Sequence, residues 1–295
     1  MKINFNSGDL YALLTAFCWS SAVIFFDLSG RRLGAMQINL LKNAIGVIGF
    51  SLTLFIIGSG FPDFSMNEFL LLIYSGVVGI VIGDLLFLYS LKKIGSGLSA
   101  IISTSYSPSV FFISYYMFND IISMKMILGG GFIIFAIVIG TKKVENIKNS
   151  KTFMAGVFYG IIAQILTAYS VLLVKPVMLS HSIIEIALVR FGSALVLTVL
   201  ILKFWKGKNY IIQTVFKGIN NYFVIAGAFL GTYLSVIFWL AGFKYTLPAR
   251  AAMYNQLSTI FIMIMATLFL GEKMCKRKWG AVALAIFGAL LISIQ

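Results

Sequence analysis

Apolar runs of about twenty residues recur along this chain from one end to the other, and that recurrence restricts the fold more than any other feature of the sequence. A helix needs about 20 residues to cross the ~30 Å hydrocarbon core of a bilayer. Within that core every backbone N–H and C=O must find its partner inside the protein, so a series of such runs can only become a bundle of spanning helices. The balance of residue types agrees: 60% are hydrophobic, 11% are charged and the mean hydropathy is +0.99, against a soluble norm of about half apolar and a quarter charged. The expected class is an all-α polytopic membrane protein whose solvent is the lipid bilayer.

Reading apolar runs against polar breaks predicts ten transmembrane helices, at 9–29, 34–58, 66–91, 97–118, 124–140, 153–174, 182–204, 220–243, 248–270 and 278–294. The first run ends in FFDLSGRRLG without a small-residue cleavage pattern, so it is read as a retained helix and not as a signal peptide. The polar stretch 141–152 is expected to be a cytoplasmic linker between residues 1–140 and residues 153–295, which hold five predicted helices each.

These halves resemble one another. At a spacing of 148 residues Tyr11 pairs with Tyr159 and Lys42 with Arg190; at 151, Gly76 pairs with Gly227, Phe87 with Phe238, Lys93 with Lys244, Ala100 with Ala251 and Phe118 with Phe269. Because five is odd, the second copy must enter the membrane from the opposite side, which gives two inverted five-helix repeats of the kind that build many secondary transporters.

A net charge of +14 would suggest nucleic acid in a soluble protein, but here the cations sit in short connections between apolar runs. Sixteen of the 23 lysines and arginines fall in the odd-numbered connections and five in the termini and even ones. The positive-inside rule then places the odd connections in the cytoplasm and both termini outside, with no role for nucleic acid. Cys18 lies in a predicted span and Cys275 in a basic loop, which argues against a disulfide framework.

Lys42 and Arg190 are cations within apolar runs, each eight residues after the predicted start of its helix. A charge left near a lipid-facing helix centre costs about 2.5 to 3.5 kcal/mol, so both should face protein or a polar cavity. Two readings stay open: a snorkelling or ion-paired structural cation, or a source of positive potential for a substrate cavity. Asn39, Gly46, Gly49 and Thr53 share the small, polar helix face of Lys42, which favours a packed or cavity-facing side. Asp84, in GIVIGDLLFLYS, is the only carboxylate deep in a predicted span; it could carry a coupling proton or neutralise Lys42 or Lys93.

Further candidates for substrate binding are Trp19 and Ser20 in predicted helix 1, Tyr106 in helix 4, Gln164 in helix 6, Tyr233 and Trp239 in helix 8, and Tyr254, Asn255 and Gln256 in helix 9. Each taken alone reads equally as helix glue or an interfacial anchor. Glycines at Gly76, Gly79 and Gly83, and small residues at Gly227, Gly231 and Ser235, should let helices pack closely. No catalytic motif is present: Val81 occupies the first glycine of a G-x-G-D protease motif, zincin, nucleophile-elbow and P-loop patterns are absent, and the sole histidine, His181, lies in a loop. An enzyme is therefore not expected, nor a metal or cofactor.

Two stretches carry a family resemblance: YTLPARAAMYNQLSTIFIMIMATLFLGEKMCKRKWGAVALAIFGALLI at 245–292, and its first-half counterpart SLKKIGSGLSAIISTSYSPSVFFISYYMFNDIISMKMILGGGFIIFAIVI at 90–139. With RFGSA at Arg190, CWSS at Cys18–Ser21, Pro108 within helix 4 and LGE at Leu270, Gly271 and Glu272, the chain resembles the EamA family of the drug/metabolite transporter superfamily. It departs at Phe118, Asn119 and Asp120, where FND stands for LGE, and at Lys42, where arginine would be expected. The resemblance implies ten helices, a central cavity lined mainly by helices 1, 3, 4, 6, 8 and 9 with contributions from 2 and 7, and export or exchange of small metabolites.

The function expected is a secondary transporter of a bacterial inner (plasma) membrane, moving an amino acid or related carboxylate compound by alternating access as a monomer or homodimer. Two intramembrane cations against one anion favour a substrate that brings negative charge. Efflux of hydrophobic cations and a non-transporting membrane scaffold are the alternatives.

Overall fold

A computed structural model describes residues 7–57, 63–118, 124–141, 150–273 and 275–293, and all regular structure among these residues is helical. Helices α1 (Ser7–Gly30) and α2 (Ala35–Ile57) open the first half. Helix α3 (Met66–Gly76) runs through a π-helical stretch, Val77–Gly83, into α4 (Asp84–Ser103), and α5 (Tyr106–Phe118) and α6 (Met124–Thr141) complete it. The second half begins with α7 (Ser150–Val174), the single turn α8 (Val177–Ser180), α9 (Ile183–Lys206) and α10 (Lys208–Ile219). Helix α11 (Tyr222–Ala228) passes through a second π-helical stretch, Phe229–Leu234, into α12 (Ser235–Tyr245), followed by α13 (Pro248–Asn255), α14 (Leu257–Leu270) and α15 (Lys276–Ser293).

Six helical runs among the described residues are long and apolar enough to cross a membrane: Ser7–Gly30, Ala35–Ile57, Met66–Ser103, Lys151–Val174, Ile183–Lys206 and Tyr222–Tyr245. Shorter apolar helices accompany them, including Leu257–Leu270. Ten full crossings are predicted; beyond the six, the fourth and ninth are interrupted near Thr104 and Gln256, while α6 and α15 are unbroken 18-residue helices. In α4 the break is Gly95, whose φ of 77° belongs to the left-handed region that glycine alone occupies without strain. A Cβ there would lie 3.0 Å from Glu272 Oε1. That carboxylate accepts hydrogen bonds from Ser96 N (2.9 Å) and Gly97 N (3.0 Å), capping the helical run that restarts after the break.

The breaks repeat at the spacing found in the sequence. The π-helical stretches at 77–83 and 229–234, the interruptions at Gly95 and Thr246, and the turns at Thr104 and Gln256 all recur about 151 residues apart. A π-helical stretch carries an extra residue and frees backbone carbonyls; in the first half the carbonyl of Ile80 accepts from Asn39 Nδ2 at 3.4 Å.

The third run of each half packs against the first two of the other. A Cβ added at Gly76 would collide with the backbone carbonyl of Arg190, and one at Gly79 with Ser170. On the opposite side, Gly227 and Gly231 face Phe26 and Ala22 of α1, while Gly46 and Gly49 of α2 face Thr232 and Tyr233. Small residues thus bring backbones close across the join, as in membrane bundles generally. Helix α10, within a connection of the predicted ten-helix plan, packs Gly218 against Leu41 and is tied by Gln37 Nε2 donating to Thr214 Oγ1 at 3.1 Å. Its apolar positions follow the helical period, but the segment is too short and too basic to register as a span. The linker residues 142–149 and the Asn119 and Asp120 departures lie outside the described residues.

Candidate functional site

Where the two halves meet, a cavity of ≈ 140 Å³ is lined by the interrupted helices together with α1, α2, α7 and α9. The breaks matter to this site because they expose polar groups at a depth where an unbroken helix would present only side chains. In one wall, Gln256 Nε2 at the α13–α14 turn donates to Ser107 Oγ (2.7 Å) and to the carbonyl of Thr104 (3.3 Å) at the matching α4–α5 turn. Gln164 Nε2 donates to Ser103 Oγ at 3.2 Å, and Trp239 Nε1 to Tyr106 Oη at 3.2 Å. Trp19 packs its ring 5.4 Å from that of Phe87.

The charged lining residues are Lys42, Asp84 and Arg190. Lys42 Nζ lies 2.6 Å from Asp84 Oδ2 and donates also to Asn43 Oδ1 at 2.9 Å. It stands 5.5 Å from the centre of the Phe191 ring. This cation is therefore compensated within its own half. Arg190 is 1% exposed. Its Nη2 donates to Ser170 Oγ at 3.2 Å and its guanidinium carbon lies 5.9 Å from the Trp239 ring, a cation–π contact. Its Nε and Nη1 have no partner among the described residues, and neither does the buried Oδ1 of Asn255. Buried polar atoms left unmet cost about 1 to 3 kcal/mol each, more when charged. The wall therefore carries a net charge of +1 and includes, among its lining residues, a cation with unmet donors and an asparagine with an unmet acceptor. That combination can bind an anionic group; catalysis has no comparable constellation, and no three His, Cys, Asp or Glu side chains come together among the described residues.

Of the twelve residues singled out from sequence, the structure brings Trp19, Lys42, Asp84, Tyr106, Gln164, Arg190, Trp239, Asn255 and Gln256 to this cavity. Three lie off its lining. Ser20 Oγ donates to the Ala16 carbonyl and to that of Ser258 (3.2 Å), joining α1 to α14. Tyr233 shares a 2.6 Å hydrogen bond with Thr53 Oγ1 and covers Gly49 of α2. Tyr254 is half-buried on α13 beside Asn255. Sequence reasoning passed over the hydroxyls of Thr15, Thr167, Ser170, Thr232, Ser235 and Ser258, which also line the cavity. Thr15 and Thr167 each donate to the carbonyl four residues back, as such residues do in any helix, and so send no signal. For Ser235 a signal existed: the 151-residue spacing makes it the counterpart of Asp84.

The EamA-like transporter family model matches the sequence twice, over residues 6–141 and 154–294. An uncharacterized transporter from Archaeoglobus fulgidus is 21% identical over 288 residues, covering 96% of each chain. A solved crystal structure 12% identical in sequence superposes with a TM-score of 0.73 over 98% of this chain and 99% of that one, a likeness of fold alone.

Proposed function

Because the chain belongs to the EamA-like transporter family and is a multi-pass membrane protein, we propose that it is a secondary transporter that moves a small carboxylate-bearing metabolite, preferably an amino acid, through the cavity between its halves. The observation that carries this reading is Arg190, buried in the cavity wall with Nε and Nη1 unmet while Lys42 is already paired with Asp84. An intramembrane cation held at such cost with two of its donor nitrogens unmet by the protein points to a ligand of opposite charge. The unmet Oδ1 of Asn255 suits the ammonium of an amino acid.

Alternating access follows by rocking one half against the other along the glycine-lined join at Gly76, Gly79, Gly227 and Gly231. The direction we favour is export, across the cell membrane. Asp84 is the carboxylate available to carry a coupling proton, although its closed pair with Lys42 favours an ordering role. A second reading, efflux of hydrophobic cations, draws on the aromatic wall of Trp19, Phe87, Tyr106, Phe191 and Trp239; the net positive charge opposes it. A non-transporting scaffold leaves the unmet donors without a purpose. The family and its transporter relative support transport over catalysis.

Uptake of labelled amino acids, other carboxylates and hydrophobic cations into proteoliposomes separates these readings. Accumulation or exchange of a carboxylate compound is expected; uptake of cations alone supports the second reading, and no uptake of any class overturns transport. The basic bias of the connections also supports both termini lying outside. A cysteine placed at Gln295 should react with an impermeant thiol reagent in intact cells, and labelling only after lysis would reverse the orientation.

A further inference from the structure

The repeat offers a template for how a ligand would meet Arg190. Lys42 and Arg190 are counterparts, and so are Asp84 and Ser235, each of which begins the α-helix that follows a π-helical stretch. In the first half the pair is closed: Lys42 Nζ meets Asp84 Oδ2 at 2.6 Å. In the second half the cation is present and the carboxylate is replaced by a hydroxyl. Ser235 is 3% exposed and lines the cavity. It lies one turn before Trp239, whose ring is 5.9 Å from the Arg190 guanidinium carbon, and residues four apart share one helix face. Ser235 and Arg190 therefore both line the cavity, and Trp239 stands one turn from the first and against the second.

We infer that the carboxylate of the substrate takes, in the second half, the place that the Asp84 side chain takes in the first: it accepts hydrogen bonds from the unmet guanidinium N–H groups of Arg190 and rests against Ser235. This assignment rests on the transport reading above and makes Ser235 the residue that determines specificity for an anion. Serine leaves the pair open, so the vacancy is filled by a carboxylate that can leave again. An aspartate would fill it permanently.

The test compares wild type with Ser235→Asp and Ser235→Asn, in detergent by thermal unfolding and in proteoliposomes by uptake, using the common α-amino acids and the corresponding carboxamides as probes. Wild type should be stabilised by one or more amino acids and not by their amides. Ser235→Asp should unfold at a higher temperature than wild type without any probe, because a buried cation gains its partner, and should lose amino-acid affinity by at least about 30-fold, the scale on which a buried charge pair is lost. Ser235→Asn, which fills the same space without the charge, should also weaken amino-acid binding but should gain no stability over wild type, so that the rise in unfolding temperature separates the charge from the bulk.

The assignment is overturned if Ser235→Asp keeps wild-type affinity, if Ser235→Asn is stabilised as much as Ser235→Asp, or if Ser235→Asp is destabilised or fails to fold while Ser235→Asn folds. Wild type acting only on compounds without a carboxylate overturns the assignment and leaves transport standing. Wild type that neither binds nor moves any compound, of any class, overturns the transport reading and this assignment with it.

Discussion

Asp84 closes an ion pair with Lys42 in the first half of the molecule, whereas at the matching position of the second half Ser235 leaves Arg190 with no carboxylate. The backbones around the two sites share the same devices, a π-helical stretch before the pair and a turn after it, so the difference lies in one side chain. A buried ion pair is worth little net stability because desolvation offsets the attraction, while a buried cation without a partner is a cost that folding alone has no reason to bear. The repeat therefore separates two roles: shape is duplicated, and charge is not. The first half holds a closed pair, and on the proposed reading an anionic substrate completes the second.

The largest expected effect tests the closed pair. Asp84→Ala leaves Lys42 buried without its carboxylate and should cost about 3 kcal/mol of stability, read as a clear drop in unfolding temperature. Replacing Lys42 and Asp84 together by Met and Leu should recover most of that loss; if the double variant is no better than Asp84→Ala, the pair is not what holds this region. Asp84→Asn sharpens the same point in proteoliposomes. Loss of both gradient-driven accumulation and exchange, with lowered stability, is expected of an ordering ion pair. Loss of accumulation with exchange intact would instead make Asp84 the proton carrier.

A smaller contrast lies in the join. Gly76→Ala drives a methyl group into the backbone carbonyl of Arg190 and should cost about 2 to 3 kcal/mol, while Gly227→Ala meets the ring of Phe26 at 3.0 Å and Phe25 Cβ at 3.1 Å, with no backbone in the way, and should cost about 1 kcal/mol. Equal losses would mean that the two halves grip each other alike. The smallest effect is expected at Glu272→Ala, which uncaps Ser96 N and Gly97 N for about 1 kcal/mol; Glu272→Gln, which can still accept, should lose less. Thermal unfolding of the four variants in one detergent orders them.

Much of this arrangement was legible in the sequence, and the reason differs by residue. Lys42, Asp84 and Arg190 stood out because a charge inside an apolar run has no inexpensive explanation. The start of the seventh predicted helix at 182 came from the apolar run alone, and in the structure Ser182 and Glu185 form a capping box there. The family resemblance, read from the stretches around Pro108 and Glu272, was matched by a family model over both halves. What could not be read was pairing. Nothing local says that Asp84 pairs with Lys42 and not with Lys93, because partner choice depends on how α2 crosses α4. The π-helical stretches at Val77–Gly83 and Phe229–Leu234 carry no periodic signal of their own, and helix α10 falls between the pattern of a span and that of a loop. Ser170, the acceptor for Arg190 Nη2, looks in sequence like any helical serine.

Arg190→Gln tests the central claim most directly, with unfolding temperature and substrate uptake measured on the same preparation. Removing an uncompensated buried cation should leave stability unchanged or raise it, within about 1 kcal/mol, while uptake of carboxylate substrates falls by at least about 30-fold. A variant that unfolds well below wild type, or one that transports as wild type does, would contradict the account and return Arg190 to a structural role.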